Sequence, residues 1–148
     1  MNQTTEDHAA QLFATIANCL RQLRGIGVVR GHIDPGAEYA EWLVAQKTGA
    51  QRGQKNQKGW DLVLRDGIRI QVKHQQKADS NAHRHCWYIA EKTLEGADRF
   101  VLVDFDAHFS VRGMYIVDKE QVQRLGHYRE KYSDWQLRLR DLTEYRLP

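Results

Sequence analysis

Three side chains in the stretch GWDLVLRDGIRIQVK, residues Gly59 to Lys73, are of types that do chemistry together: Asp61, Gln71 and Lys73. An acid and an amide offer oxygen ligands to a hard cation, and an amine beside them can orient or deprotonate water and offset charge on an anionic substrate. Whether the three meet depends on strand register, because successive side chains point to opposite faces. Trp60, Leu62 and Leu64 form one apolar set, and Ile68, Ile70 and Val72 form another. They share a face only if Leu64 opposes Ile68 and Leu62 opposes Ile70. That register needs a three-residue loop, Arg65-Asp66-Gly67, with Gly67 in the left-handed conformation. A two-residue Asp-Gly turn would oppose Leu62 to Gln71 and split the apolar sets. With the three-residue loop, Asp61 opposes Gln71 on the other face and Lys73 follows one step along, so the polar groups converge at one end of the hairpin.

The flanking segments supply the elements that would hold this hairpin. Ala9, Leu12, Phe13, Ile16, Leu20 and Leu23 recur at steps of three and four, which predicts an amphipathic helix over 5–24, stopped by Gly-Ile-Gly. A second helix is expected from Pro35, a favoured first-turn residue, to Thr48, with Gly49 ending it. QRGQKNQKG reads as a loop, as does QQKADSNAHRH. CWYIA reads as a short strand. RFVLVDFD is the near-continuous apolar run of a buried central strand, and HFSVRGMYIV as its partner through a turn near Ala107. DKEQVQRL reads as a short helix with Asp118 as N-cap and Gln121 at the capping-box position. SDWQLRLRDLTEYRLP fits helix or strand. The order predicts an α/β (α+β) fold, a central mixed sheet flanked by helices, in one domain over 1–148 with its core over about 35–125 and a C-terminal extension over 126–148.

Composition narrows the class of partner. In 148 residues no apolar run approaches the ~20 needed to span a membrane, and the polar, acidic start MNQTTEDHAA is unlike a secretory signal. Cys19 and Cys86 follow no disulfide or zinc pattern, which fits free thiols in a reducing cytoplasm. From Arg52 to His85 there are eight Lys/Arg against three Asp, whereas from Cys86 to Glu120 there are four basic against seven acidic residues. The basic block surrounds the hairpin and suits an anionic partner such as nucleic acid. Lys55, Lys58, Arg69, His74 and Lys77 are candidate phosphate contacts, which position a nucleic acid without reading its sequence. His83, His85 and Cys86 are read as part of a polar loop. Asp104 and Asp106 are read as solvated strand-end acids, and Trp42, Trp60 and Trp87 as core or interface residues.

The pairing of WD with QVK, set in GAEYAEWLVAQKTGA…NQKGWDL…GIRIQVK…ADRFVLVDFD, resembles the PD-(D/E)xK, or restriction-endonuclease-like, nuclease superfamily. It is similar to small bacterial members found near restriction and defence genes, over Pro35 to Val117. The resemblance implies a restriction-endonuclease-like core and a Mg²⁺- or Mn²⁺-dependent endonuclease acting on DNA. Asp61 would bind the metal, Gln71 would give its amide oxygen where an acid usually stands, the Val72 carbonyl would be a backbone ligand, and Lys73 would act on the water. The family pattern is broken at Gln71, which lowers the site's negative charge, and at Trp60, which stands where Pro usually precedes the Asp. A helix carboxylate would restore the balance. At 100° per residue, Ala37, Ala40, Leu43 and Val44 define the buried stripe and Glu41 lies nearer its edge than Glu38, so Glu41 is the first candidate and Glu38 the second. Two other classes of function remain open: a binding module for nucleic acid that has lost cleavage, and an interaction subunit using the acidic second half. A homodimer is the expectation if both strands of a duplex are cut.

Overall fold

The computed structural model describes residues 3–31, 34–55, 58–77 and 85–148. The helices are α1 (Gln3–Gly25), α2 (Pro35–Thr48), α3 (Glu91–Gly96) and α4 (Lys119–Leu125). The strands are β1 (Gln51–Arg52), β2 (Leu62–Val63), β3 (Arg69–Gln76), β4 (Cys86–Ala90), β5 (Arg99–Phe105), β6 (Val111–Asp118), β7 (His127–Arg129) and β8 (Asp134–Arg138). They form a mixed α+β structure with a five-stranded sheet in the order β1-β2-β3-β5-β6 and a three-stranded sheet in the order β4-β8-β7. β3 and β5 run parallel and the other pairs of both sheets are antiparallel.

Local chemistry accounts for most boundaries. Asp34 caps α2 by accepting a hydrogen bond from the Ala37 N–H, Pro35 fills the first turn, and Gly49 closes the helix at φ 72° with its N–H donated to the Ala45 carbonyl. Asp118 and Gln121 form a reciprocal capping box at the start of α4. The hairpin has the register that the apolar pattern demands: Leu62 pairs with Ile70, and the Leu64 N–H donates to the Ile68 carbonyl. Gly67 sits at φ 86°, which closes the three-residue loop.

β5 is central and its alternation divides the core. Val101, Val103 and Phe105 face α2, where Ala40, Val44 and Ala45 pack on them with Leu62, Ile70 and Val72. Phe100 and Leu102 face the other way, against Trp87, Ile89 and Leu137 of the second sheet and Val122 of α4. Each Val, Leu, Ile or Phe side chain fully buried here contributes about 1.5–3 kcal/mol. Trp60, grouped by parity with Leu62 and Leu64, instead packs into this second cluster. Among the described residues, no helix is long and apolar enough to cross a membrane.

The largest difference from expectation comes from pairing between segments far apart in sequence. One face of the sheet carries α2, and the other is covered by the second sheet together with α3 and α4. Within residues 126–148, β7 and β8 complete that sheet, with β8 pairing along β4. Gln51 and Arg52, read as loop, form the edge strand β1 beside β2. The segment EKTLEG, unassigned by pattern, is α3.

Candidate active site

Asp61 stands immediately before β2 begins. Its main chain is held on both sides, with its N–H donating to the Ile70 carbonyl at 2.8 Å and its carbonyl accepting from the Gly53 N–H at 2.7 Å. Its carboxylate turns to β3, where Oδ2 accepts the Val72 N–H at 2.7 Å and the Gln71 Nε2 at 2.7 Å. Just ahead of the Leu62–Ile70 pair that opens β2, a carboxylate therefore bonds the edge of β3 in place of a main-chain carbonyl. The Val72 carbonyl projects from that same edge, since both main-chain groups of a strand residue point to one side. Among the described residues Oδ1 of Asp61 accepts no hydrogen bond. A close glycine pair helps fix this position: Gly59 lies at φ 87°, and a Cβ on Gly96 would come within 2.7 Å of the Gly59 carbonyl. Only glycine permits that approach two residues before Asp61.

Lys73 lies near enough to Asp61 to stabilise its charge, yet it makes no hydrogen bond or ion pair among the described residues. It is half-buried. Gln71 and Lys73 pair in register with Phe100 and Leu102, so they lie on the sheet face that carries the second core cluster.

The two helix acids have different tasks. Glu38 accepts the main-chain N–H groups of Arg30 at 2.8 Å and Gly31 at 2.7 Å, and pairs with Arg30 and Arg52. Burial alone would raise its pKa, but those two hydrogen bonds and the charges of Arg52 and Arg30 outweigh it and hold the carboxyl below the ordinary value. Glu38 is thus committed to holding the 30–31 turn. Glu41 points toward the site: it feels the charge of Asp61, and its Oε2 meets Arg30 Nη2 at 3.3 Å and Arg52 Nη2 at 3.6 Å. Ala45, one turn on from Glu41, is buried, so the buried stripe of α2 extends to the Glu41 side further than the helical wheel indicates. Replacing Glu38 by Ala is expected to cost about 1.5–3 kcal/mol at neutral pH, because two inward N–H groups lose a charged acceptor. That contribution is present above the ordinary Glu value and fades as pH falls through the lowered folded-state value, which denaturant midpoints at pH 7 and pH 3 would show.

Burial raises the pKa of Asp61 despite the Val72 N–H, Lys73 and Arg30. Burial, and then the charge of Asp61, raises Glu41 against the pull of Arg52 and Arg30. For raised acids the sign is unfavourable at neutral pH: the fold favours the protonated forms, so stability present at low pH declines as pH rises through the folded-state values. Asp61→Asn, which keeps an oxygen for the Val72 and Gln71 donors, is therefore expected to melt higher than the natural chain at pH 7, with the gap closing toward pH 4.

Other sequence-derived residues fall elsewhere. Lys55 is exposed near the Gly31–Glu38 contact, Lys58 is exposed, and Lys77 follows the end of β3. Arg69 pairs with Asp98 at the surface, through its main-chain N–H and two guanidinium hydrogen bonds. His74 alternates to the α2 side of β3, 3.9 Å from Asp34 and edge-on to Phe105. Asp106 is an exposed turn acid bonded by the His108 and Ser110 N–H groups, but Asp104 is buried, not solvated, and so is its partner His85. His83 lies outside the described residues. Pattern reading missed Arg30 and Arg52, which no periodicity marks and which reach the acids only through tertiary folding.

No family model matches the chain, and comparison with curated proteins finds no match.

Proposed function

We propose that the chain is a metal-dependent nuclease that hydrolyses phosphodiester bonds, with DNA as its substrate and Asp61, Gln71, Lys73 and Glu41 as its active residues. The observation that carries this reading is the Asp61 carboxylate, half-buried at the start of β2 with one oxygen bonded to β3, the other without a donor among the described residues, and Lys73 beside it. The donor set fits a hard divalent cation: Asp61 Oδ1, the Val72 carbonyl, the Gln71 amide oxygen and Glu41 are all oxygen. Among the described residues no three His, Cys, Asp or Glu side chains gather as a metal site by themselves, so the amide and the carbonyl are needed to complete one. When bound, Mg²⁺ or Mn²⁺ would supply a more acidic water and relief of charge on the phosphate. Lys73 would orient that water and neutralise the phosphate, Asp61 and Gln71 would hold the ligand oxygens in place through their mutual hydrogen bond, and the basic segment around the hairpin would draw the polyanion in. The cytoplasm suits two free thiols, Cys19 and Cys86.

One observation favours a second reading, a binding module on the same scaffold. Arg30 and Arg52 already neutralise Glu41, and Gln71 adds no charge, so cation affinity would be low. Incubating the protein with plasmid, linear duplex, single-stranded DNA and RNA in EDTA, Mg²⁺ and Mn²⁺ separates the two. Cutting that requires a divalent ion supports the nuclease, whereas duplex binding unchanged by EDTA with no cutting supports the module.

A further inference from the structure

α1 presents an apolar face that the other described residues do not cover. Every residue from Thr4 to Cys19 is exposed, including Leu12 at 55%, Phe13 at 72% and Ile16 at 52%, and only Leu20, Leu23 and Arg24 near the C-terminal end are partly buried. A lone helix in water draws little stability from its own hydrogen bonds, and helices of this kind are normally held by the packing of an apolar face. Ala9, Phe13, Ile16, Leu20 and Leu23 are spaced by four, three, four and three, which is the a/d seam of a coiled coil. At its Leu23 end the seam runs into an open cleft lined also by Pro35, Gly36, Tyr39, His108 and Phe109.

We infer that this face pairs with α1 of a second copy of the chain in an antiparallel helix pair. Charge selects both the partner and the direction. The first turns carry Glu6 and Asp7 and the last carry Arg21 and Arg24. Antiparallel pairing sets the acidic end of each helix beside the basic end of the other, opposes the helix dipoles, and stacks Phe13 on Ile16 and Ala9 on Leu20 across a twofold axis. Parallel pairing would set like charges together at both ends. An unrelated partner would have no reason to match this distribution, whereas a second copy matches it by symmetry. None of the candidate active-site residues enters the argument, so it stands apart from the proposed activity.

Sedimentation equilibrium or light scattering on the full chain tests it. The natural protein is expected to reach twice its 17.3 kDa mass with rising concentration. Phe13→Lys with Ile16→Lys is expected to stay monomeric while its core unfolds cooperatively as before, since both side chains are exposed. Glu6→Arg with Asp7→Arg, and separately Arg21→Glu with Arg24→Glu, should each self-associate at least about tenfold more weakly, and mixing the two should restore a heterodimer. A natural chain that stays monomeric at all concentrations, or a dimer indifferent to Phe13→Lys with Ile16→Lys, would overturn the pairing. Charge variants that associate no better mixed than alone would overturn its antiparallel direction.

Discussion

Replacing Lys73 by Met is expected to lower metal-dependent cleavage by about a thousandfold while leaving the fold and duplex affinity nearly unchanged. Lys73 sits on an eight-residue strand in the centre of the fold, so its position is set by the β3–β5 ladder and not by contacts of its own ammonium group. It is near Asp61 without being tied to it, which leaves the ammonium available to water and phosphate. Methionine keeps the length and apolar stem. Its loss of one half-buried charge should move stability by less than about 1 kcal/mol. Single-turnover cleavage, read beside a denaturant curve and a binding isotherm, checks all three quantities. A parallel fall in binding and cleavage would make Lys73 a phosphate contact and not a residue acting on the attacking water.

The second large effect is structural. Asp104 is 1% exposed and lies among polar groups from three other parts of the chain. Its Oδ1 accepts Gln75 Nε2 at 3.1 Å and Arg112 Nη2 at 3.2 Å, and its Oδ2 meets His85 Nδ1 at 3.2 Å. Gln75 in turn accepts the Cys86 N–H at 3.1 Å. The network ties β3, β5 and β6 to the start of β4, and so joins the two sheets. Asp104→Ala is expected to cost about 3–5 kcal/mol, because the buried Gln75 amide and His85 ring and the partly buried Arg112 lose their shared carboxylate. Asp104→Asn keeps an oxygen and should cost distinctly less. Urea midpoints for the two variants distinguish a lost acceptor from a lost packing contact, since a packing role would make the isosteric Asn nearly silent and Ala only mildly harmful.

What was legible in the sequence was what local periodicity controls. The apolar sets of the hairpin admit one register, so the opposition of Asp61 to Gln71 followed from counting residues, and Gly67 adopts the turn conformation that count required. Pro35, Gly49, Asp118 and Gln121 mark helix ends through bonds made within one turn, which is why they could be read directly. The run Phe100–Phe105 is buried throughout because both faces of β5 are covered.

What was not legible depended on remote partners. The second sheet pairs β4 with β8, about fifty residues apart, and nothing in DWQLR states which strand it will join. Asp104 reads as a solvated strand-end acid because Gln75 and His85, which make its burial tolerable, lie 29 and 19 residues away. Arg30 and Arg52 were missed at the candidate site for the same reason. Glu38 and Glu41 differ by one turn of one helix, and only the position of the 30–31 main chain separates a structural carboxylate from one directed at Asp61.

The central claim is that Asp61 supports metal-dependent phosphodiester cleavage. Its most direct test is conversion of supercoiled plasmid to nicked or linear form by the natural protein and by Asp61→Asn, purified side by side, in Mg²⁺ or Mn²⁺ and in EDTA. Cutting by the natural protein is expected with either cation and not in EDTA, with at least about a thousandfold loss in Asp61→Asn, a protein expected to be the more stable of the two at pH 7. Equal cutting by both proteins, or none by the natural protein with duplex binding undiminished in EDTA, would contradict the claim.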